Sequence, residues 1–336
     1  MKILAEYGRD DLAKVYVVQL REQTRLEKNN KKYLIECVES IQPPLPREKK
    51  WVLIVSSMFG CPIQCKMCDA GGDFSGCLTS EEILTQIDYM VSRRFPHKKP
   101  STAKFKIQFA RMGEPSLNPA VLDVLEQLPT RYDARTLHIS LSSIAPSTTA
   151  ARRFFDELLV IKNRYYPQGR FQLQFSLHTT DETKREELIP AKKWSFEEIG
   201  AYGKRFYQPA NGDKKITLNF APIKGYPIDV EKLSIYFPPD CFLIKLTPVN
   251  PTVRSQEDHL ESTIDPHNTT SAKELINEFQ QKGYEVILSI GVLEENQIGS
   301  NCGQFIQRAQ NTQRRPQKSY ELERYAYDEQ KKVDVL

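Results

Sequence analysis

Residues 51–68 read WVLIVSSMFGCPIQCKMC and combine a short apolar run with cysteines at positions 61, 65 and 68. A run of mainly aliphatic residues of this length predicts a strand that is buried on both faces. The cysteines follow at the spacing CxxxCxxC, on the loop that we expect to leave the end of this strand. Loops at the carboxyl ends of parallel strands are where α/β folds place their chemistry. The sequence therefore predicts a functional loop centred on the three cysteines.

After the cysteines, short apolar strands alternate with amphipathic helices. The predicted strands are 51–57, 105–110, 136–143, 171–178, 215–223, 241–249 and 284–290. The predicted helices are 79–94, 119–128, 152–163, 181–188, 195–207, 229–237 and 271–282. This alternation predicts a parallel sheet with helices packed outside it. Six strand–helix units in succession predict an α/β fold of the partial (β/α)6 barrel type, with chemistry on the loops after the strands.

The segment before the first barrel strand has a different pattern. Two β-rich stretches, 13–20 and 32–41, flank a polar turn, and a proline-rich, charged connector follows them. We therefore expect a small β-rich extension over 1–50 and a partial barrel with a C-terminal cysteine loop over 51–310. The highly charged stretch 311–336 is expected to form a tail.

Composition narrows the class of protein. With 336 residues and 40% hydrophobic residues, the chain can bury a full-sized core. The net charge of +4 excludes a nucleic-acid binder that relies on charge alone. Acidic residues occupy the N-terminus where a signal peptide would be apolar, and no apolar run could span a bilayer. We expect a cytoplasmic, soluble protein without a membrane partner, in which the odd number of seven cysteines indicates metal binding rather than disulfides.

The cysteine spacing distinguishes between two kinds of metal site. Iron–sulfur clusters usually take four cysteines, and three leave one iron with an open coordination position, as catalytic metal sites do. Zinc in a structural site prefers a closed set of four ligands. Cys77 is close in sequence, but no fourth Cys or His stands at zinc-finger spacing. The motif therefore favours a [4Fe–4S] cluster bound by Cys61, Cys65 and Cys68.

Six segments of the sequence resemble the motifs of a known family. Each lies at or after the end of a predicted strand or in the predicted C-terminal loop. They are SSMFGCPIQCKMC (56–68), ARMGEPSLN (110–118), HISLSS (138–143), QFSLHTTDETKREELIP (174–190), LTPVNP (246–251) and NQIGSNCGQF (296–305). In this order they resemble the radical S-adenosylmethionine (radical SAM) superfamily, and within it the RlmN/Cfr group. Members of that group methylate a ribosomal RNA adenosine at C2 or C8. The resemblance runs from about residue 51 to residue 304.

The resemblance implies a set of cofactors and residues. The open iron would hold S-adenosylmethionine, and one electron from the cluster, supplied by a flavodoxin- or ferredoxin-like donor, would release a 5′-deoxyadenosyl radical. Residues matching the family's S-adenosylmethionine contacts are Gly113, Glu114, Ser140, Ser176, Leu177, His178 and Asn250. Among these, Glu114 would pair with the amino group of the cofactor.

Two further residues carry the methyl transfer that the resemblance implies. Cys302 matches the cysteine that first accepts a methyl group. Hydrogen abstraction from that S-methyl group would then let the methylene radical add to an sp2 carbon of the substrate. Glu36 best matches the family's proton acceptor, with Glu39 as the alternative.

The chain also departs from the family's pattern. The second catalytic cysteine of the family stands seven residues before the first cluster cysteine, and here that position is Ile54. Isoleucine has no group that can donate, accept or deprotonate. Cys37 and Cys77 are the candidates for a replacement thiol. In addition, only about fifty residues precede the barrel, where the family has a substantial helical domain that helps to grip RNA.

Three functional hypotheses follow. The first is a methyltransferase that uses S-methylcysteine at Cys302 to methylate an sp2 carbon of a heteroaromatic substrate, an RNA adenine or a related small molecule. The second is a radical SAM enzyme that acts on a non-RNA small molecule or peptide by hydrogen abstraction or a methylene adduct, which Ile54 favours. The third is a non-enzymatic cluster protein that senses redox or cofactor state, with only basic patches in its support. The sequence does not decide the substrate or the oligomeric state.

Overall fold

The computed structural model describes residues 1–22, 33–41, 44–70, 72–133 and 135–300. Its strands are β1 (Lys2–Gly8), β2 (Ala13–Gln19), β3 (Leu34–Ser40), β4 (Trp51–Val55), β5 (Met58–Cys61), β6 (Gly72–Cys77), β7 (Phe105–Phe109), β8 (Leu137–Ser143), β9 (Phe171–Ser176), β10 (Ile216–Phe220), β11 (Phe242–Leu246) and β12 (Val286–Leu288). Ten of them form one sheet in the order β1-β2-β3-β4-β7-β8-β9-β10-β11-β12, and β5 pairs with β6 in a separate hairpin. The main sheet positions the residues considered below.

The pairing within this sheet changes direction at β4. Strands β1 to β4 pair antiparallel, whereas β4 pairs parallel with β7 and every later pair through β12 is also parallel. The predicted α/β fold with a parallel sheet is confirmed, and all seven predicted barrel strands are present at their expected places. The prediction missed β1 and the hairpin β5–β6.

Helices connect the parallel strands. They are α1 (Ser80–Arg94), α2 (Ala120–Arg131), α3 (Thr149–Tyr165), α4 (Glu182–Leu188), α5 (Phe196–Phe206), α6 (Val230–Tyr236), α7 (Val253–Glu257), α8 (Lys273–Gln281) and α9 (Leu293–Ile298). Two of them, α1 and α5, begin with a capping box. In this motif the N-cap side chain and the side chain of a glutamate three residues later each accept a backbone N–H of the other residue. In the described residues, no helix is both long and apolar enough to cross a membrane.

Alternation along each strand gives the sheet two unlike faces. Phe105, Ile107 and Phe109 of β7 are fully buried in the core beneath the helices. The intervening Gln108 is half-buried and lies between Ile54 of β4 and Ser140 of β8 in the strand register. We call the face that carries Ile54, Gln108 and Ser140 the inner face. It is the face on which a partial barrel places its ligands.

The N-terminal strands extend the barrel sheet itself, and the end of the described chain returns to them. Helix α9 packs against β2. Arg9 forms an ion pair with Glu294 at 2.6 Å, and the Ser40 hydroxyl donates to Glu295 at 2.9 Å. These contacts close the open side of the sheet with residues from both ends of the chain. The domain boundaries at 50 and 310 stay a prediction, and the charged stretch 311–336 lies outside the described residues.

Candidate active site

The three cysteines lie on a loop that begins in the hairpin. Cys61 is the last residue of β5 and faces Gly72 of β6 across the antiparallel pairing. Cys61, Cys65 and Cys68 are all half-buried and free of disulfides. The sequence predicted a loop after a buried strand, and the structure adds that a two-stranded hairpin holds its base. The thiols are therefore presented by a constrained segment rather than by a long open loop.

Asp69 fixes the far end of this loop. Its buried carboxylate accepts the backbone N–H groups of Val253 and Arg254, both at 3.0 Å, at the start of α7. Beside it, the Thr252 hydroxyl donates to the Met67 carbonyl at 3.0 Å. The loop after β11 is thus tied to the cysteine loop. Sequence analysis missed Asp69, whose position directly after the third cysteine was the only available signal.

The thiols occupy an environment that disfavours bare thiolates. Burial raises the pKa of Cys61 to about 11. Burial also raises the pKa of Cys65 to about 12, with further contributions from the negative charges of Cys61 and Glu114. A cationic metal centre offsets both effects because it stabilises the deprotonated thiol directly. The donor set is therefore one that a bound iron–sulfur cluster would complete.

The number of candidate ligands bears on whether the site would hold a cluster or a single metal ion. Among residues 1–22, 33–41, 44–70, 72–133 and 135–300, no three His, Cys, Asp or Glu side chains converge on a point that could hold one metal ion. A structural zinc needs four ligands that converge at roughly 2.0–2.3 Å. In a cubane cluster each cysteine binds its own iron, so that the sulfurs stay apart. A set of three cysteines thus matches the cluster that the sequence motif favours, because it leaves one iron open, and it is one ligand short of a structural zinc site.

Glu114 follows β7 and lies buried beside the cysteine loop. One carboxylate oxygen accepts the Ser116 backbone N–H at 3.1 Å and the Ser116 hydroxyl at 2.7 Å. The other accepts the Ile144 N–H at 3.0 Å, at the end of β8. Burial raises the pKa of Glu114, and these donors partly offset the effect. A buried carboxylate of this kind gains from a cationic ligand group, since an ammonium both pairs with it and shares its desolvation.

Gly113 occupies a position that only glycine fits. Its φ of 96° lies in the left-handed region. A Cβ added there would stand 2.6 Å from Cβ of Met58 and 2.8 Å from Oγ of Ser57. Both contacts are closer than carbon atoms tolerate, so the backbone of this loop packs directly against the strand that leads into the cysteine motif. Gly113 therefore allows Glu114 and the cysteines to share one wall of the site.

Polar side chains line the inner face at the ends of β8, β9 and β10. The Gln174 side-chain amide donates to Ser140 Oγ at 2.6 Å. Ser176 stands beside Asn219 in the strand register. The Oδ1 atom of Asn219 is buried and has no hydrogen-bond partner among the described residues. Because buried acceptors are rarely left unpaired, this atom is available to a ligand donor. Sequence analysis missed Asn219, which lies inside a predicted strand without any motif.

The turn after β9 holds His178 in a strained conformation. Its φ of 67° is left-handed, which is uncommon for a residue other than glycine. The backbone N–H groups of Leu177 and His178 donate to the Asn219 carbonyl at 3.0 and 3.3 Å. The imidazole Nδ1 accepts the Ala221 N–H at 3.1 Å. Burial, followed by the charge of Arg185, lowers the pKa of His178 to about 4, so its ring is neutral near pH 7 and carries its proton on Nε2.

Asn250 lies in the loop between β11 and α7. Its backbone carbonyl accepts the Thr252 N–H and the Ser255 hydroxyl, each at 2.8 Å. These bonds fix the loop that Asp69 also anchors, close to the cysteine motif in space although about 185 residues away in sequence. The predicted position of Asn250 at a strand end on the same side as the cysteines is therefore observed.

The two candidate glutamates point to opposite faces of the sheet. Glu39 accepts Tyr16 Oη at 2.5 Å and Trp51 Nε1 at 3.0 Å, and it pairs with Arg94 of α1 on the helix-covered face. Glu36 stands three residues before Glu39 on β3, so its side chain points to the other face. Its carboxylate is fully buried and lies 2.5 Å from Nη2 of Arg111. Of the two, Glu36 is the one that shares the face of Ile54. Cys302 lies outside the described residues, which end at Ser300.

Comparisons with known proteins were made against this geometry. No protein-family model matches the chain. It is 25% identical over 288 residues to the dual-specificity RNA methyltransferase RlmN of Marinobacter nauticus, covering 82% of this chain and 71% of that protein. It is 26% identical over 323 residues to the dual-specificity RNA methyltransferase RlmN of Ruthia magnifica, covering 88% of this chain and 81% of that protein.

Among solved structures, the chain resembles a radical SAM methyltransferase from Sphaerobacter thermophilus. The TM-score is 0.62 at 18% identity, over 86% of this chain and 76% of the other. At that identity the likeness shows the fold, which is the one expected from the sequence. Over most of its length the chain is therefore similar to radical SAM methyltransferases of the RlmN kind, and the cofactors that this similarity indicates are a [4Fe–4S] cluster and S-adenosylmethionine.

Proposed function

We propose that this enzyme methylates an sp2 carbon of a heteroaromatic substrate, an RNA adenine or a related molecule, through an S-methylcysteine at Cys302. The observation that carries the proposal is the path of the C-terminal segment. Gly299 and Ser300 accept hydrogen bonds from Arg111, three residues before Glu114. These bonds hold the last described residues before Cys302 beside the Met112–Glu114 loop.

The cofactor-binding roles are assigned residue by residue. We propose that Cys61, Cys65 and Cys68 hold the cluster and that Glu114 accepts the ammonium group of S-adenosylmethionine, with Gly113 giving it room. The remaining proposed contacts to S-adenosylmethionine are Ser140, Ser176, Leu177, His178 and Asn250. When bound, the cluster and S-adenosylmethionine supply a methyl group and a hydrogen-abstracting radical. Asn219 Oδ1 adds an unpaired buried acceptor on the same face.

For the acid–base role we propose Glu36 over Glu39. The Glu39 carboxylate is engaged with Tyr16, Trp51 and Arg94 on the helix-covered face, away from the inner face. Glu36 lies on the inner side of the same strand and is joined to the C-terminal segment through Arg111. A carboxylate in that position can take a proton close to where the substrate carbon would react.

The nature of the substrate rests on the relatives. Both RlmN proteins are named as RNA methyltransferases. RNA is therefore the first substrate to test, with a free adenine nucleotide as the second. We further propose a flavodoxin- or ferredoxin-like electron donor and a cytoplasmic location, where such donors and RNA are both present.

The test is an anaerobic reaction of the reconstituted enzyme with methyl-labelled S-adenosylmethionine. We expect label on the peptide that contains Cys302 and then on adenine of added RNA. Cys302→Ala should lose both signals, whereas Cys241→Ala, at a buried site distant from the loop motif, should keep them. Wild-type enzyme that forms 5′-deoxyadenosine without labelling Cys302 would contradict the proposed route.

A second candidate is favoured by Ile54. This position on the inner face provides no thiol to release a covalent product. The alternative is a radical SAM enzyme that acts on a small molecule or peptide by hydrogen abstraction or a methylene adduct. Unchanged turnover of such a substrate by Cys302→Ala would support this alternative over the S-methylcysteine route.

A further inference from the structure

The Arg111 guanidinium joins three separate segments of the chain. Its Nε and Nη2 atoms donate to one Glu36 carboxylate oxygen at 3.1 and 2.5 Å. Its Nη1 donates to the Ser300 carbonyl and its Nη2 to the Gly299 carbonyl, both at 3.0 Å. The Arg111 side chain is only 4% exposed. One buried cation thus links strand β3, the loop after β7 and the segment that leads to Cys302.

The arrangement depends on the shape of the arginine side chain. A guanidinium presents five N–H donors in a rigid plane, so it can bind a carboxylate on one edge and two carbonyls on another. Lysine would keep the charge but has a single flexible ammonium with three donors. It cannot reproduce bonds from three nitrogens in fixed directions. The contact is therefore specific to arginine rather than to positive charge.

The segment that ends at Gly299 and Ser300 is also held by contacts of its earlier residues. Glu295 accepts the Ser40 hydroxyl, and Glu294 pairs with Arg9. The Ser300 amide donates to the Glu295 carbonyl at 3.0 Å. These contacts fix α9 on the N-terminal strands, and the Arg111 bonds then hold Gly299 and Ser300, the last described residues before Cys302.

Arg111 is also continuous with the proposed S-adenosylmethionine loop. Its own N–H donates to the Val55 carbonyl at 3.2 Å. The next residue, Met112, accepts the backbone N–H groups of Ser57 and Met58 at 2.8 and 3.2 Å. The backbone on either side of the guanidinium is thus held against the segment that enters the cysteine motif. These backbone bonds do not involve the guanidinium, so the cofactor loop keeps them when the Arg111 side chain is changed, whereas the bonds to Gly299 and Ser300 are lost.

We propose that Arg111 is a positioning residue that fixes Gly299 and Ser300, the last described residues before Cys302, relative to the Met112–Glu114 loop. This inference rests on the proposed function for the role of Cys302. Arg111 itself touches neither the cofactor nor the substrate in this scheme. Its bonds hold Gly299 and Ser300, from which the chain continues to Cys302, and Glu36 holds the guanidinium in the required orientation. Without these bonds, cleavage of S-adenosylmethionine would become uncoupled from methylation of Cys302.

The experiment uses three variants of the full-length enzyme. Arg111→Lys keeps the positive charge opposite Glu36 but removes the rigid plane of N–H donors. The double variant Glu36→Gln with Arg111→Gln removes both charges, so that no buried charge is left unpaired if the first variant folds poorly. Arg152→Gln, which breaks the exposed ion pair with Glu198, is the matched control. Thermal unfolding of each protein confirms that it is folded.

Two readouts separate positioning from general damage. The first is hydrogen exchange at Ser300 in the protein without S-adenosylmethionine. Loss of two hydrogen bonds from a charged donor should accelerate this exchange on the order of tenfold in the Lys and double variants. The second is the ratio of Cys302 methylation to 5′-deoxyadenosine formed. In Arg111→Lys we expect that ratio to fall on the order of tenfold, while 5′-deoxyadenosine formation stays within about twofold of wild type.

The outcomes distinguish this inference from the proposed function. Unchanged exchange at Ser300 in both variants, or a methylation ratio in Arg111→Lys equal to that of the Arg152→Gln control, would overturn the positioning role. If the wild-type enzyme never methylates Cys302, the proposed function fails. Hydrogen exchange would still decide whether Arg111 holds the segment, because that measurement does not require the reaction.

Discussion

Ile54 of β4 lies directly opposite Val38 of β3 in the antiparallel register of the sheet. Directly opposed residues project from the same face, and the residue next to each projects from the other. Cys37 therefore points away from Ile54, into the buried layer where it stands opposite Tyr16 of β2. A thiol on that face cannot fill the place that Ile54 occupies on the inner face.

This relationship predicts that Cys37→Ala affects stability and leaves the chemistry unchanged. Removing one buried sulfur should cost about 1 kcal/mol, because it opens a small cavity in a packed layer. Urea unfolding measures this cost, and product analysis measures the chemistry. Cys77→Ala is the comparison, since Cys77 is exposed and its thiol donates to the Leu117 carbonyl at 3.7 Å. A changed product pattern in Cys37→Ala would contradict the assignment of faces.

Ile54→Cys should introduce a thiol on the inner face beside Gln108. If release of the covalent product is limited by the missing thiol, this substitution should increase released product per S-methylcysteine formed. Replacing isoleucine with a smaller side chain should cost about 1–2 kcal/mol. Mass spectrometry of released and protein-bound product gives the ratio. Ile54→Ala, which removes bulk without adding a thiol, is the control and should show no increase.

Gly113→Ala tests the close packing of the loop before Glu114. The added methyl group would meet Met58 at 2.6 Å in a left-handed backbone conformation. We expect a loss of about 2–3 kcal/mol in unfolding free energy and weaker binding of S-adenosylmethionine. Urea denaturation and calorimetric titration measure the two effects. Gly225→Ala separates the effects, because Gly225 has a positive φ of 83° but no neighbour within 4 Å of an added Cβ; it should lose stability without losing affinity.

His178 predicts a pH dependence of stability. Its pKa is lowered from the ordinary 6.5 to about 4. Between pH 6.5 and pH 4 the imidazole is therefore protonated in the unfolded chain and neutral in the folded protein. The contribution of His178 to the free energy of unfolding should therefore be fully present above pH 6.5, and the free energy should fall by roughly 3 kcal/mol as the pH drops to 4. His178→Asn, which tolerates the left-handed backbone and can keep an acceptor for Ala221, should lose that part of the slope. Chemical unfolding at a series of pH values measures it, and equal slopes in both proteins would contradict the prediction.

Asp69→Ala should loosen the cysteine loop. The change removes both acceptors for the N-terminus of α7, and such caps are worth about 1–2 kcal/mol. We expect less iron per chain after reconstitution and a faster loss of iron to a chelator. Asp69→Asn keeps one acceptor, so its iron content should lie between those of the wild type and Asp69→Ala. The same iron retention in all three would show that this tether does not support the site.

Much of the candidate site could be predicted because its residues are concentrated in short motifs. The cysteine spacing, the Gly-Glu pair and the Ser-Leu-His segment each occupy a few consecutive positions at predicted strand ends. The alternation of apolar strands and helices then places those ends on one side of a parallel sheet. Asp69, Arg111 and Asn219 could not be identified in this way, since their importance comes from partners far away in the sequence.

The sequence by itself determined the order of the seven parallel strands and of the seven predicted helices between them, the parallel sheet and the set of cysteines available to a cluster. These follow from local patterns, in which periodicity and spacing act within a few residues. Only the tertiary structure decided which face of β3 carries Glu36 and which carries Cys37 and Glu39, and that Arg111 joins β3 to Ser300. Strand register and the return of α9 to the N-terminal strands depend on contacts between residues as many as 285 positions apart, and no local pattern encodes them.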